Sequence, residues 1–381
     1  MKQAWPKVSL GEVLSQRKEF IVIDDLATYK RPRVQLHAKG IVLRDEVDGA
    51  LIKTKRQQVC RAGEFLVAEI DAKVGGFGIV PNSLDRAIVS SHYFLFCVDE
   101  ARLDRRFLDY FIRTREFRDQ VEAQGSTNYA AIRPADVLGY NIQLPHIAEQ
   151  QRIVTRIEAV AEQVREVKRL RLEAAQEQQA LCRAMLATDP EVNLVPMSEL
   201  VTLRQPDVTV HPNKTYQFAG VYSFGRGLFR GQEKSGVEFA YPKLTTLRTG
   251  NFTYPKLMAW EGALGVVPQE CDACVVSTEF PVFEIREDRV LPEVLDVHFR
   301  NPAVWPQLSG SSTGTNVRRR RLNPTEFLKY RMPVPSRLTQ VRLRSVMSEL
   351  SKLSPIDRQV SAELDALLPA ILDKAFRGEL M

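Results

Sequence analysis

Long apolar runs are missing from this sequence: no stretch approaches the ~20 uninterrupted apolar residues that a bilayer span requires. The N-terminal Met1-Lys2-Gln3-Ala4-Trp5-Pro6 also lacks the apolar core of a signal peptide, so a cytoplasmic location and no membrane partner are expected. Cysteine is scarce, with 5 in 381 residues. Their positions (60, 97, 182, 271 and 274) do not repeat along the chain, which argues against a disulfide framework. Cys271-Asp-Ala-Cys274 is the single CxxC, and a tetrahedral zinc site would need two more ligands at comparable spacing. The five histidines (37, 92, 146, 211, 298) are scattered, so no metal site is expected. Catalytic signatures are equally thin. Without GxxxxGK[ST] there is no P-loop, and no GxGxxG opens a strand-turn-helix unit. The Asn-Pro-Pro-aromatic or Asp-Pro-Pro-aromatic tetrapeptide with which amino-methyltransferases hold a target base is missing too. Gly75-Gly-Phe-Gly78 and Gly225-Arg-Gly227 stand alone and read as hairpin turns, not phosphate cradles.

What is present is a plan written twice. Val8-Ser9-Leu10-Gly11-Glu12-Val13 returns as Val195-Pro196-Met197-Ser198-Glu199-Leu200. Gly63, Phe65, Gly75, Gly78, Val80 and Pro81 return without a gap as Gly250, Phe252, Gly262, Gly265, Val267 and Pro268. After a small insertion, Pro134, Leu138, Tyr140, Pro145, Gln150 and Arg152 match Pro324, Leu328, Tyr330, Pro335, Gln340 and Arg342. Two similar halves should present two similar surfaces, suited to a partner with two parts. The duplication also weakens one nuclease-like pattern, Glu69-Ile-Asp71-Ala-Lys73. Its counterparts are Lys256, Met258 and Trp260, so a solvated turn is the better reading and no catalytic residue is expected.

Each half closes on a helical tail. Ile153, Ile157, Val160, Val164, Val167, Ala174, Leu181 and Met185 alternate by fours and threes, and Val346, Leu350, Leu353, Val360, Leu364, Leu367 and Ile371 repeat the period. That is a coiled-coil seam, and such seams need a partner. The economical arrangement packs the two tails on each other as an antiparallel coiled coil; two amphipathic helices, each on its own domain, are the alternative. The first helix, about 147 to 186, would span roughly 55 to 60 Å and can serve as a spacer. In the second, Ser354-Pro355 reads as an N-cap and restart, and Pro369 as a kink.

The front parts read as α+β. Short apolar, β-branched or aromatic runs at Phe65-Leu-Val-Ala, Gly78-Ile-Val-Pro, 87–96 and 274–283 are strands, while 103–121 and 291–308 have helical spacing. The expected architecture is two similar globular domains, each a twisted, largely antiparallel sheet with helices, joined by the two long helices. The boundaries fall at 1–145, 146–188, 189–335 and 336–381.

Formal net charge is +6, a modest excess compatible with a polyanionic partner. Ahead of each tail lies a polar loop followed by arginine: Ser126, Thr127, Asn128, Tyr129 and Arg133 in the first half, Thr315, Asn316, Arg318, Arg319, Arg320 and Arg321 in the second. Small hydroxyl and amide groups suit phosphate oxygens, and arginine adds bidentate donors for guanine edges. Lys53, Lys55, Arg56 and Lys73, and in the second half Arg226, Arg230, Lys234, Lys243 and Lys256, sit on or beside expected hairpin loops. Tyr216, Phe224 and Tyr241 are interleaved with the second set. These are the candidate contacts to double-stranded DNA.

In this organisation the chain resembles the specificity (S) subunits of type I restriction-modification systems. The resemblance rests on Trp5-Pro-Lys-Val-Ser-Leu10-Gly-Glu-Val, on Gly63-Glu-Phe-Leu-Val, and on the junction Leu144-Pro145-His-Ile-Ala148-Glu149-Gln150-Gln-Arg152-Ile153-Val154. The closing Leu367-Leu368-Pro369-Ala-Ile-Leu-Asp373-Lys-Ala-Phe376-Arg-Gly378-Glu-Leu380 completes it. It implies a non-catalytic reader of a bipartite, asymmetric target, with two target recognition domains. Two methyltransferase subunits would dock, and optionally two restriction/translocase subunits; S-adenosylmethionine, ATP and magnesium would be bound by those partners. Docking would involve Glu149, Gln150 and Arg152, with Gln340 and Arg342 at a second junction that lacks the Ala-Glu pair. A self-sufficient DNA methyltransferase or nuclease, and a helical scaffold without a DNA role, are the alternatives.

Overall fold

The computed structural model describes residues 5–122, 131–309 and 321–379. Its contacts divide it into two compact units: Met1–Lys168 together with Gln359–Met381, and Arg169–Arg358. The division cuts through the two long helices, Ile147–Ala187 and Arg337–Phe376, so each unit owns part of both. The fold is α+β, as the sequence predicts.

In unit 1 an antiparallel four-stranded sheet runs in the order Leu14–Arg17, Tyr93–Val98, Phe65–Ala68, Phe77–Ile79. A three-stranded sheet (Phe20–Val22, Arg56–Val59, Ile88–Val89) and a long hairpin (Thr28–Gln35 with Gly40–Asp48) stand beside it. Lys7–Ser9 pairs with Asn141–Gln143. Unit 2 repeats this with Val201–Leu203, Val282–Ile285, Phe252–Thr253 and Gly265–Val266, and with Asn193–Pro196 paired to Arg331–Val334. Its hairpin, Thr215–Val221 with Leu228–Ser235, joins a five-stranded sheet through a parallel contact of Phe218 with Val275.

The backbone keeps the duplication more strictly than the side chains. In unit 1, His37, Ala38, Gly40, Gly63, Gly75 and Arg86 have φ between 54° and 98°; their counterparts Phe224, Gly225, Gly227, Gly250, Gly262 and Ala273 lie between 59° and 84°. Left-handed backbone is sparsely populated outside glycine, so its recurrence at matching positions is a signature of one design. Gly75 and Gly262 show the need for it: a Cβ would stand 2.7 Å from the Ala38 nitrogen in one and 2.3 Å from the Trp305 ring in the other.

Each unit has its own aromatic core. In unit 1 Phe117 meets Phe77 (centroids 5.1 Å apart), Phe111 (5.5 Å) and Tyr140 (5.6 Å). Ile153, Val154 and Ile157 of the first long helix and Leu372, Ala375 and Phe376 of the second complete it. The ends of the described chain also meet there, with Gly378 (φ +68°) against the Trp5 indole. In unit 2 Phe252 stacks on Phe327 at 5.5 Å, while Cys182, Leu343 and Met347 close the cluster from the helices. Within each unit the helix segments run antiparallel. Lys168 pairs with Asp365 in unit 1, and Arg171 with Asp357 at 3.0 Å in unit 2.

Three helical expectations are corrected. The stretches 103–121 and 291–308 are each two helices: Arg105–Phe111 with Arg115–Glu122, and Pro292–Phe299 with Trp305–Ser309. The first break is made by the Thr114 hydroxyl, which donates to the Phe111 carbonyl (2.7 Å) and accepts from the Phe117 N–H (3.3 Å), offering the backbone an alternative to the helix. At the second, Asn301 precedes Pro302, and that position disfavours helical backbone. Second, neither Ser354-Pro355 nor Pro369 ends the helix Arg337–Phe376. A proline frees the carbonyl four residues back. Here those are Ser351 and Asp365, both exposed, so water can satisfy them. Third, the seam holds near the helix ends and not throughout: Val167, Ala174, Leu181 and Leu353 are exposed, and Cys182 is buried in place of Leu181.

One half-buried titratable group gives unit 2 a pH dependence. His298 lies under Tyr330, its Nε2 2.9 Å from the phenol oxygen, and burial lowers its pKa to about 4. A folded-state value below the ordinary ~6.5 means that the contribution is fully present above ~6.5 and lost as pH falls toward 4. The expected loss approaches 3 kcal/mol at the acid end of that window. Melting wild type and His298→Gln from pH 7.5 to 4 should show the two curves converging on acidification; parallel curves would remove the His298 assignment.

Candidate nucleic-acid interface

In unit 1 the basic candidates separate by environment. Lys53 is exposed just before the strand Arg56–Val59. Lys55 turns inward, its ammonium on the Asp25 carboxylate and 2.8 Å from the Gly49 carbonyl, and so anchors a loop. The Arg56 guanidinium lies 4.4 Å above the Phe20 ring. Lys73 is half-buried on the turn Ala72–Val74. Arg133 is exposed at the N-cap of Pro134–Gly139, where its N–H donates to Asp136 at 2.8 Å. Ser126, Thr127, Asn128 and Tyr129 lie outside the described residues, as do Thr315, Asn316, Arg318, Arg319 and Arg320 of the second loop.

The hairpin Thr28–Gln35/Gly40–Asp48 was missed by sequence reasoning. It exposes Lys30, Arg33, Lys39 and Arg44. Arg31 forms a two-point pair with Asp45 across the strands (2.7 and 2.8 Å) and holds that carboxyl below the usual carboxylate range. The run Lys30-Arg31-Pro32-Arg33 was the available signal.

In unit 2 the equivalent hairpin carries three of the expected residues. Arg226 lies at its tip, 4.7 Å above the Tyr222 ring, with Nε donating to the Ser223 carbonyl at 3.1 Å. Arg230 is exposed, and Lys234 stands 5.9 Å over Phe218. Lys243 is exposed on the strand Lys243–Thr246, and Tyr241 beside it is 41% exposed. Tyr216 is corrected: it is buried, and its hydroxyl accepts from the His211 N–H at 2.8 Å.

The roots of the two polar loops are built alike and charged differently. Ile132 N–H donates to the Glu69 carbonyl (3.1 Å) in unit 1, and Leu322 N–H to the Lys256 carbonyl (2.9 Å) in unit 2. At the first root the Glu69 carboxylate is 2.7 Å from His92 Nδ1. At the second, Glu279 takes the place of His92 and receives both Arg321 and, at 3.8 Å, Lys256.

Gln150 and Gln340 do not present themselves for docking. Gln150 is fully buried: its Oε1 accepts from Asp104 N–H at 2.8 Å, and its Nε2 donates to the Arg102 and Pro145 carbonyls, both at 2.8 Å. Gln340 repeats this with Leu291 N–H (2.9 Å) and the Pro335 carbonyl (3.0 Å). Each glutamine ties the first turn of a long helix to the start of a short one, Arg105–Phe111 or Pro292–Phe299. Arg152 and Arg342 are exposed, and Glu149 is half-exposed with Arg152 at 3.5 Å. Among the described residues no group of three or more His, Cys, Asp and Glu is placed to hold a metal ion, and no helix is long and apolar enough to cross a membrane.

No protein-family model and no curated protein matches the chain. Solved structures do. One, from work on complex assembly and conformational transition of the type I R-M system, aligns with a TM-score of 0.65 over 99% of this chain and 98% of its own, at 23% identity. The HsdS subunit from Thermoanaerobacter tengcongensis aligns with a TM-score of 0.50 over 100% and 98%, at 24% identity. The fold is therefore shared from end to end with these proteins.

Proposed function

We propose that this chain is the DNA-specificity subunit of a type I restriction-modification complex, with each unit reading one half of a bipartite, asymmetric target. The observation that carries the reading is the likeness over nearly the whole of both chains to a type I R-M structure. Its support is the pairing of matched backbone with unmatched surface: equivalent hairpins and loop roots carry different side chains in the two units. A protein reading two identical half-sites would have no use for that divergence.

In this reading the chain performs no chemistry. The long helices act together as an antiparallel spacer between recognition modules, compatible with half-sites about one helical turn, ~34 Å, apart. Two methyltransferase subunits dock on the complex, with the exposed Arg152 and Arg342 and the half-exposed Glu149 as the candidates near the helix starts, and two restriction/translocase subunits can follow. S-adenosylmethionine, ATP and magnesium belong to those partners.

Sequencing the methylated positions in a host carrying the complete system tests this directly. A bipartite motif that disappears when this gene is removed is expected. Methylation or cleavage of DNA by the purified chain alone would favour the self-sufficient enzyme instead. Replacing Arg318 to Arg321 with alanine should weaken DNA binding and degrade one half of the motif only. Because Arg321 is held by Glu279, the log–log salt slope of binding should fall by roughly three. Binding indifferent to salt between ~50 and 200 mM would favour the scaffold without a DNA role.

A further inference from the structure

The two hairpin tips spend conformational energy on the same residue position. His37 (φ 61°) and Phe224 (φ 64°) are equivalent non-glycine residues in left-handed backbone. Both are locked there by the same pair of backbone hydrogen bonds. His37 and Ala38 donate to the Val74 and Gly75 carbonyls at 2.8 and 2.9 Å; Phe224 and Gly225 donate to the Glu261 and Gly262 carbonyls at 2.8 and 2.9 Å. Glycine would hold this conformation without strain, and the neighbouring Gly40 and Gly227 show that the hairpins use glycine elsewhere. Yet a ring is kept at this place in both units.

Neither ring is buried. Phe224 is 65% exposed and makes one described ring contact, a tilted one with Trp305 at a centroid distance of 6.3 Å. His37 is exposed, and its imidazole has no hydrogen-bond partner among the described residues. Backbone strain kept at an exposed position that is fixed by its surroundings marks a group held ready for a ligand. The surroundings name the ligand's charge: Arg33 and Lys39 flank the first tip, and Arg226 and Arg230 the second.

We infer that His37 and Phe224 are equivalent DNA-contacting residues of the two units, and that their difference is one source of the difference between the half-sites. This rests on the DNA-reading function proposed above. The Phe224 ring has no polar edge and suits a thymine methyl or an opened base step, whereas the His37 imidazole can exchange a hydrogen bond with a base edge or phosphate.

The test is a pair of glycine substitutions in the full chain, Phe224→Gly and His37→Gly, offered a pool of duplexes with randomised sequence. Glycine relieves the left-handed strain, which offsets the loss of the Phe224–Trp305 contact, so both variants should melt close to wild type. Each should lose selectivity in one half of the enriched motif, a different half for each, and bind the wild-type motif roughly tenfold more weakly. A glycine variant that keeps the motif and its affinity overturns the inference. So does one that melts far lower, because the ring would then be needed chiefly for packing. If wild type itself enriches no motif, the DNA-reading function fails and takes this inference with it.

Discussion

Phe376→Ala is expected to destabilise unit 1 by about 3–5 kcal/mol and to leave the unfolding of unit 2 where it was. The side chain comes from the end of the second long helix and is only 3% exposed. Its ring lies 4.7 Å from Phe107 and 5.5 Å from Phe111, so its removal opens a cavity between the last helix and the first short one. Because Gln359–Met381 belongs to unit 1, the damage should appear in residues more than two hundred positions earlier in sequence. Urea titration followed by limited proteolysis reads this out, with early cleavage inside residues 5–122 and protection retained in 189–309. Early cleavage in both units would mean that they do not unfold separately.

Gln150→Ala should cost unit 1 about 3–5 kcal/mol, and Gln340→Ala a similar or slightly smaller amount in unit 2. Truncation leaves the Asp104 N–H and the Arg102 and Pro145 carbonyls without their partner at a buried junction. The exposed neighbour Arg152→Ala should change stability by less than about 0.5 kcal/mol. Denaturant midpoints for the three variants separate this from a docking role. A Gln150→Ala chain as stable as wild type but unable to assemble would restore the glutamine to an interface.

These glutamines show where reading a sequence stops. The repetition of Gln150 as Gln340 was visible, and so was the helix start beneath each. Burial was not, because a polar residue on the first turn of an amphipathic helix reads the same whether it faces water or three backbone groups. The strands near Phe65 and Val275 are legible because short apolar runs bounded by turn residues encode them locally. The breaks at Thr114 and Asn301 were harder, since a side-chain hydroxyl or a following proline overrides helical spacing from a single position. Among the site residues, Arg226, Arg230 and Lys234 lie on the hairpin where the turn residues of the sequence put them. Lys55 and Tyr216 are not separable from exposed residues in the sequence, since the turns that bring Asp25 and the Gly49 carbonyl to one and the His211 N–H to the other are set by the fold and not by either residue's own position. His37 carried no signal of its own: a lone histidine becomes notable only when its φ and that of Phe224 are compared.

The contact of Trp5 with Gly378 has a topological reading. In unit 1 the two ends of the described chain lie side by side, so a short peptide linker could join them, and the turn after Ala187 could be opened instead. Such a circular permutant would present the second module first in translation order while keeping every core contact described here. Which module is synthesised first would then be set by where the chain is opened.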